Sequence, residues 1–215
     1  MVLEFTVLTI TWWEVSLTNK EIKRVCVYSS SCDDLEKVYY EDAQKLGMLM
    51  GKNGYDLVYG GGTLGVMYAN AAAVKKSGGK VIGVMPEKLY ELGISNKDCD
   101  ERYITKCMRT RKAKMDELSD AVVALSGGFG TLEELSEMIV QKQLGYHTKP
   151  IVILNTNNFY EYLIKFFDKI ILDKFAAKNA NEIYYIAQTP EEIIQYLKNY
   201  KEQSFDVCEK LKLNK

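Results

Sequence analysis

The chain has 215 residues, 47% hydrophobic and 27% charged, enough for one well-filled α/β core, and no compositional shift marks a second domain. A formal net charge of −1 and a pI near 6.0 leave out the broad basic footprint of a nucleic-acid binder. Five scattered cysteines (Cys26, Cys32, Cys99, Cys107 and Cys208) without C-x-x-C spacing read as free thiols of a reducing cytoplasm, and a lone His147 excludes a multi-histidine metal site.

Residues 1–22 read as an N-terminal extension of unknown role. Val7 to Trp13 is apolar, but no basic run precedes it and it is far short of the roughly 20 residues of a membrane helix. From residue 23 to 200, strand-like apolar runs alternate with amphipathic helical stretches. The strands are expected at Val25–Tyr28, Asp56–Tyr59, Val81–Met85, Ala121–Leu125 and Ile151–Leu154. The helices are expected at Leu35–Met50, Val66–Lys76, Thr110–Leu118, Leu132–Leu144, Tyr160–Leu172 and Glu191–Tyr200. Short pieces at Arg102–Thr105 and Ile183–Ile186 are expected to add edge strands, and residues 201–215 form a charged, solvated tail. The alternation predicts a single doubly wound, Rossmann-like α/β domain: a parallel sheet sandwiched between helices.

Ligands of such sheets gather outside the carboxyl ends of the strands, and two glycine clusters fall there. After the fourth main strand come Ser126-Gly127-Gly128-Phe129-Gly130-Thr131-Leu132-Glu133-Glu134. Glycines at 127, 128 and 130 permit positive φ and backbone approach to a ligand. A helix starting near Thr131 would add free amides and the positive end of its dipole, so the loop suits a phosphate or carboxylate. Thr131 to Glu134 also fits a capping box, in which Glu134 would bond back to the amide of a Thr131 cap. The second cluster, Tyr59-Gly60-Gly61-Gly62-Thr63-Leu64-Gly65, matches G-x-G-x-x-G at 60, 62 and 65, with Glu87 about twenty residues on. It is a dinucleotide fingerprint on the second strand rather than the first, and reads equally as a tight strand-to-helix turn. Two loops at one sheet edge suggest a mononucleotide gripped from two sides. His147, behind a Gly145-Tyr146 turn, reads as a loop or cap residue, which leaves acid–base work to a carboxylate.

These residues resemble the LOG-type phosphoribohydrolases, the cytokinin riboside 5′-monophosphate hydrolases often labelled lysine decarboxylases. The family signature P-G-G-x-G-T-x-x-E stands here as Ser126 to Glu134, and its M-H-x-R-K element as Met108-Arg109-Thr110-Arg111-Lys112. Further matches are the Tyr59–Met67 loop, Val81 to Pro86, and Gln143 to His147 leading to Lys149-Pro150, so the similarity runs from about Lys23 to Leu197. The chain departs from the pattern at Ser126 for proline, Arg109 for histidine, Ser29-Ser30 for Cys-Gly, and Gly93 where many members carry a glutamate.

The resemblance implies cleavage of the N-glycosidic bond of a nucleoside 5′-monophosphate, AMP or an N6-modified cytokinin ribotide, without metal or cofactor. Glu134 is then the catalytic carboxylate and Arg111 a fixed cation. Lys112, Gly127, Gly128, Phe129, Gly130, Thr131 and Glu133 bind substrate or phosphate, and Gly61, Gly62 and Thr63 do so from the second loop. It also implies a homodimer paired through helices beside the site, with neither nucleic acid nor membrane as partner. Two rivals remain at this level. One is a sensor or carrier that binds a nucleotide without breaking it; the other is an NAD(P) oxidoreductase resting on Gly60, Gly62, Gly65 and Glu87.

Overall fold

The computed structural model describes residues 21–205; residues 1–20 of the extension expected at 1–22, and residues 206–215 of the tail expected at 201–215, lie outside the described residues. In chain order the elements are β1 (Arg24–Tyr28), α1 (Lys37–Lys52), β2 (Asp56–Tyr59), α2 (Gly65–Lys76), β3 (Val81–Pro86), α3 (Glu87–Tyr90) and β4 (Glu101–Thr105). There follow α4 (Met108–Glu117), β5 (Ala121–Ala124), α5 (Phe129–Gln143), β6 (Ile151–Leu154), α6 (Glu161–Leu172), β7 (Tyr185–Ala187) and α7 (Pro190–Asn199).

The seven strands form one all-parallel sheet in the order β4-β3-β2-β1-β5-β6-β7. The five inner strands are short, almost wholly buried runs, as strands covered on both faces require. Both edge pieces expected from sequence are present, and β4 alternates half-buried with exposed side chains as an edge strand should.

The two faces carry separate cores. Val25 and Val27 of β1 and Val123 of β5 meet Leu46 and Met50 of α1, Val74 of α2 and Ile193 of α7. On the other face Cys26 and Tyr28 of β1 and Val122 and Ala124 of β5 meet Met115 of α4 and Leu135 and Met138 of α5. The chain winds outward from β1 to β4, then crosses back through α4 to lay β5 on the opposite side of β1. The switch point therefore falls between the carboxyl ends of β1 and β5, where such folds open a crevice.

Two boundaries and one added element correct the sequence reading. α5 begins at Phe129 rather than near Thr131. α4 begins at Met108, because Cys107 serves as its cap and the Thr110 hydroxyl accepts from the Cys107 amide at 3.2 Å. The short α3 was not anticipated. The tail also starts differently from expectation, since Phe205 packs against the core instead of standing in solvent.

Candidate active site

The first glycine loop works by a different geometry from the one expected. None of Gly127, Gly128 and Gly130 has positive φ; Gly128 caps α5 at φ −87° and ψ −159°, with no side chain closing the helix start. Gly127 is required by packing, because a Cβ there would lie 2.2 Å from the Thr131 hydroxyl oxygen, which folds over it. At Gly128 and Gly130 the space where a Cβ would stand is open. The amides of Phe129, Gly130 and Thr131 are thus the first three of α5, left without intrahelical acceptors as at any helix start, with open ground beside them. Thr131 is buried, whereas the Phe129 side chain is 92% exposed.

The earlier start removes the capping-box role of Glu134. It is the sixth residue of α5, in the second turn, and its side chain is free to reach inward. There the Arg111 Nη1 donates to Glu134 Oε1 at 2.9 Å, and both side chains are nearly enclosed. Arg111, from α4, is fixed a second time by Nε donating to the Val84 carbonyl of β3 at 3.1 Å. Gly60, at the end of β2, makes room for the guanidinium: a Cβ there would lie 2.4 Å from Nη2. Burial raises the Glu134 carboxyl above its ordinary pKa, and the neighbouring Arg111 charge opposes that rise without cancelling it. Below the pair, burial also pushes up the Cys26 thiol and Tyr28 phenol, with the Glu134 charge adding to both. Both stay protonated near neutrality.

Lys112 sits beside Arg111 but turns to α5, pairing with Glu133 and Glu137 while largely enclosed. Lys112 and Glu133, both expected at the substrate, are engaged with each other in this arrangement. The second loop is also tied into the fold. Gly61 O accepts from Asn96 N at 2.8 Å, and the Thr63 amide and hydroxyl both donate to Ile94 O. The Tyr59 hydroxyl donates to Gly62 O at 3.2 Å. Gly60, which the sequence reading placed only in the motif, is where this loop meets the Arg111–Glu134 ion pair.

The start of α2, where a dinucleotide phosphate would sit, is closed by the loop after β1. Asp33 Oδ1 accepts from Gly65 N at 3.0 Å and Ser30 O from Met67 N at 3.0 Å. His147 is structural, as expected. Its Nδ1 accepts from Lys149 N, so Nε2 carries the proton and donates to Met138 O at 3.1 Å. Burial lowers its pKa to about 4, which keeps it neutral. Among the described residues no three His, Cys, Asp or Glu side chains gather as metal ligands.

An uncapped helix start at the point where a sheet reverses its winding is the phosphate seat of nucleotide-binding α/β proteins, and this fold is of that class. The family model described as possible lysine decarboxylase matches residues 67–197. The chain is 40% identical over 196 residues to the probable cytokinin riboside 5′-monophosphate phosphoribohydrolase LOGL2 of Oryza sativa subsp. japonica, covering 91% of this chain and 80% of that one. It is 35% identical over 194 residues to the cytokinin riboside 5′-monophosphate phosphoribohydrolase LOG2 of Arabidopsis thaliana, covering 90% and 91%. Among solved structures, the molybdenum cofactor binding protein of the phototrophic bacterium Rippkaea orientalis superposes with a TM-score of 0.62 at 25% identity, over 84% of this chain and 97% of that one. The molybdenum cofactor carrier protein of Chlamydomonas reinhardtii shares the fold, with a TM-score of 0.63 at 24% identity over 82% and 96%. The chain belongs to the LOG family of phosphoribohydrolases.

Proposed function

We propose that this chain hydrolyses the N-glycosidic bond of a nucleoside 5′-monophosphate, AMP or a cytokinin ribotide, to free base and ribose 5-phosphate. The observation that carries the reading is the enclosed Arg111–Glu134 pair, 2.9 Å apart, beside the open start of α5. The amides of Gly128 to Thr131 take the 5′-phosphate, which the dipole of a 15-residue helix favours. Phosphate binding at that end sets the sugar towards Glu134. Glycosidic cleavage develops positive charge on the sugar, and a fixed carboxylate stabilises it and accepts a proton from the attacking water. Arg111 keeps the carboxylate in place and offers donors to a ribose or phosphate oxygen. Lys112 contributes by tying α4 to α5.

We further read the protein as a cytoplasmic homodimer. Cys26, Cys32, Cys99 and Cys107 are free thiols, and no described helix is long and apolar enough to cross a membrane. Between α5 and α6 lies an apolar groove of about 440 Å³, lined by Leu132, Ile139, Val140, Leu163, Phe166 and Ile170 among others.

Incubating the protein with AMP, isopentenyl-AMP and the other nucleoside monophosphates, with free base followed by chromatography, tests the activity. Wild type is expected to release base, and Glu134→Ala to lose at least a hundredfold in turnover. A second reading, a carrier that binds a phosphorylated ligand intact, is favoured by the likeness to the Rippkaea orientalis binding protein. Binding of AMP without release of base would establish it and end the hydrolase proposal.

A further inference from the structure

Among the described residues, four buried side-chain polar atoms lack a hydrogen-bond partner, and two of them are the hydroxyls of Ser29 and Ser126. These two residues directly follow the last strand residues at the carboxyl ends of β1 and β5 or lie one beyond, on either side of the switch point. Buried hydroxyls in native proteins are satisfied in the great majority of cases, so orphans gathered at a ligand crevice call for an explanation.

Ser126 carries the sharper case. It is 6% exposed, and its Oγ has no hydrogen-bond partner, while the Leu125 carbonyl before it is taken by the Tyr160 hydroxyl at 2.7 Å. Continuing the alternation of Val122 and Ala124, Ser126 turns to the sheet face covered by α5. It also stands two residues before Gly128, the uncapped start of that helix. Its hydroxyl makes no hydrogen bond to the α5 amides, and the space beside Gly128 and Gly130 is open.

We propose that the Ser126 hydroxyl is a ligand-binding group that donates to an oxygen of the phosphate held at the start of α5, and thereby selects phosphorylated over unphosphorylated ligands. The proposal rests on the phosphate seat assigned above and adds to it a side-chain donor. It explains why a polar side chain is held buried and unpaired in the free protein: its partner arrives with the ligand. Desolvated hydroxyls cost stability when unpaired, so the free protein carries a local penalty that binding relieves.

The test uses Ser126→Ala in the full chain, with ribose 5-phosphate and AMP as probes in titration calorimetry and adenosine as the unphosphorylated control. The variant is expected to bind both phosphorylated probes about tenfold more weakly, the worth of one hydrogen bond to a charged group, and adenosine unchanged. Without ligand its melting temperature should equal or exceed that of wild type, because the deleted hydroxyl has no partner to lose. Equal affinity of wild type and variant for ribose 5-phosphate overturns the proposal while leaving the phosphate seat intact. Equal weakening of adenosine also overturns it, since the hydroxyl would then act through the shape of the loop. Failure of wild type to bind ribose 5-phosphate removes the phosphate seat itself, and the proposal with it. If Ser126→Ala does not fold, Ser126→Gly carries the same comparison.

Discussion

At the scale of single residues, the ion pair of Arg111 and Glu134 is the centre of the candidate site, and the sequence alone named both residues as candidates. What could not be read was how they are held. Gly60 looked like a nucleotide fingerprint because glycine spacing alone does not tell a ligand's approach from a side chain's; here the guanidinium of Arg111 occupies that space. The capping-box reading of Glu134 failed for a related reason, since three glycines allow a helix to start earlier than the first good capping residue, and Gly128 caps it without a side chain. Enclosure of Glu134 has a measurable consequence. A carboxylate that must be ionised to act, and whose pKa is raised by burial beyond what Arg111 offsets, loses function on acidification earlier than an exposed one. The acidic limb of the kcat/KM profile should therefore titrate above the ordinary glutamate pKa of about 4.3, and Glu134→Asp should move that limb. A limb at or below that value contradicts the role. The same raised pKa means that stability contributed by protonated Glu134 is lost as pH rises from the ordinary value through the raised one.

At the scale of elements, α5 is held at both ends by lysines whose roles the sequence did not disclose. Lys112, read as a phosphate ligand on the strength of its motif, instead pairs with two carboxylates on α5; charge patterning shows which residues are ionic, but not which helix will present their partners. Lys142 near the far end is fully buried. Its Nζ donates to the Tyr200 hydroxyl at 3.0 Å and lies over the rings of Tyr200 and Phe205, and burial lowers its pKa to about 8. An apolar helical stripe containing one lysine reads as an exposed position, and only the return of the chain after α7 covers it. Tyr200 donates onward to Thr148 O at 2.6 Å and so keeps a partner without the lysine. Lys142→Met should stabilise the protein by about 1–3 kcal/mol at pH 7, because it removes a buried charge that faces no carboxylate among the described residues. Between pH 8 and 10.5 the unfolded chain binds the proton and the folded one does not, so wild-type stability rises with pH there and the advantage of the variant shrinks. Urea unfolding at pH 7 and pH 10 measures both; a variant less stable at pH 7 shows the cation to be held favourably.

For the whole molecule, the parallel sheet was the most legible feature, since five unbroken apolar runs between amphipathic stretches admit few other arrangements. Strand order was not readable from the runs themselves, because nothing in the apolar pattern of β5 says which side of β1 it joins. The open face is on α6, where Leu163, Ile164, Phe167 and Ile171 pack half-buried against the core while Tyr162, Phe166 and Leu172 stand exposed. Phe166 is 58% exposed and Val140 of α5 46%. Exposed apolar area of this extent favours a partner, and a second copy of the chain presents a matching surface by symmetry. Light scattering should return twice the 24.5 kDa chain mass, and Phe166→Glu should halve it. A monomeric wild type removes the dimer.

The crossover that lays β5 beside β1 also governs when the site comes into being during folding. Arg111 lies within that connection, Val84 of β3 and Gly60, just after β2, precede it in the chain, and Glu134 belongs to a helix that follows it. No half of the chain contains the pair in its native setting, and non-local parallel pairing is the slow part of forming such a sheet. Recovery of phosphate affinity after dilution from denaturant would thus be a late clock, lagging behind the return of helical signal and keeping time with the joining of the two halves.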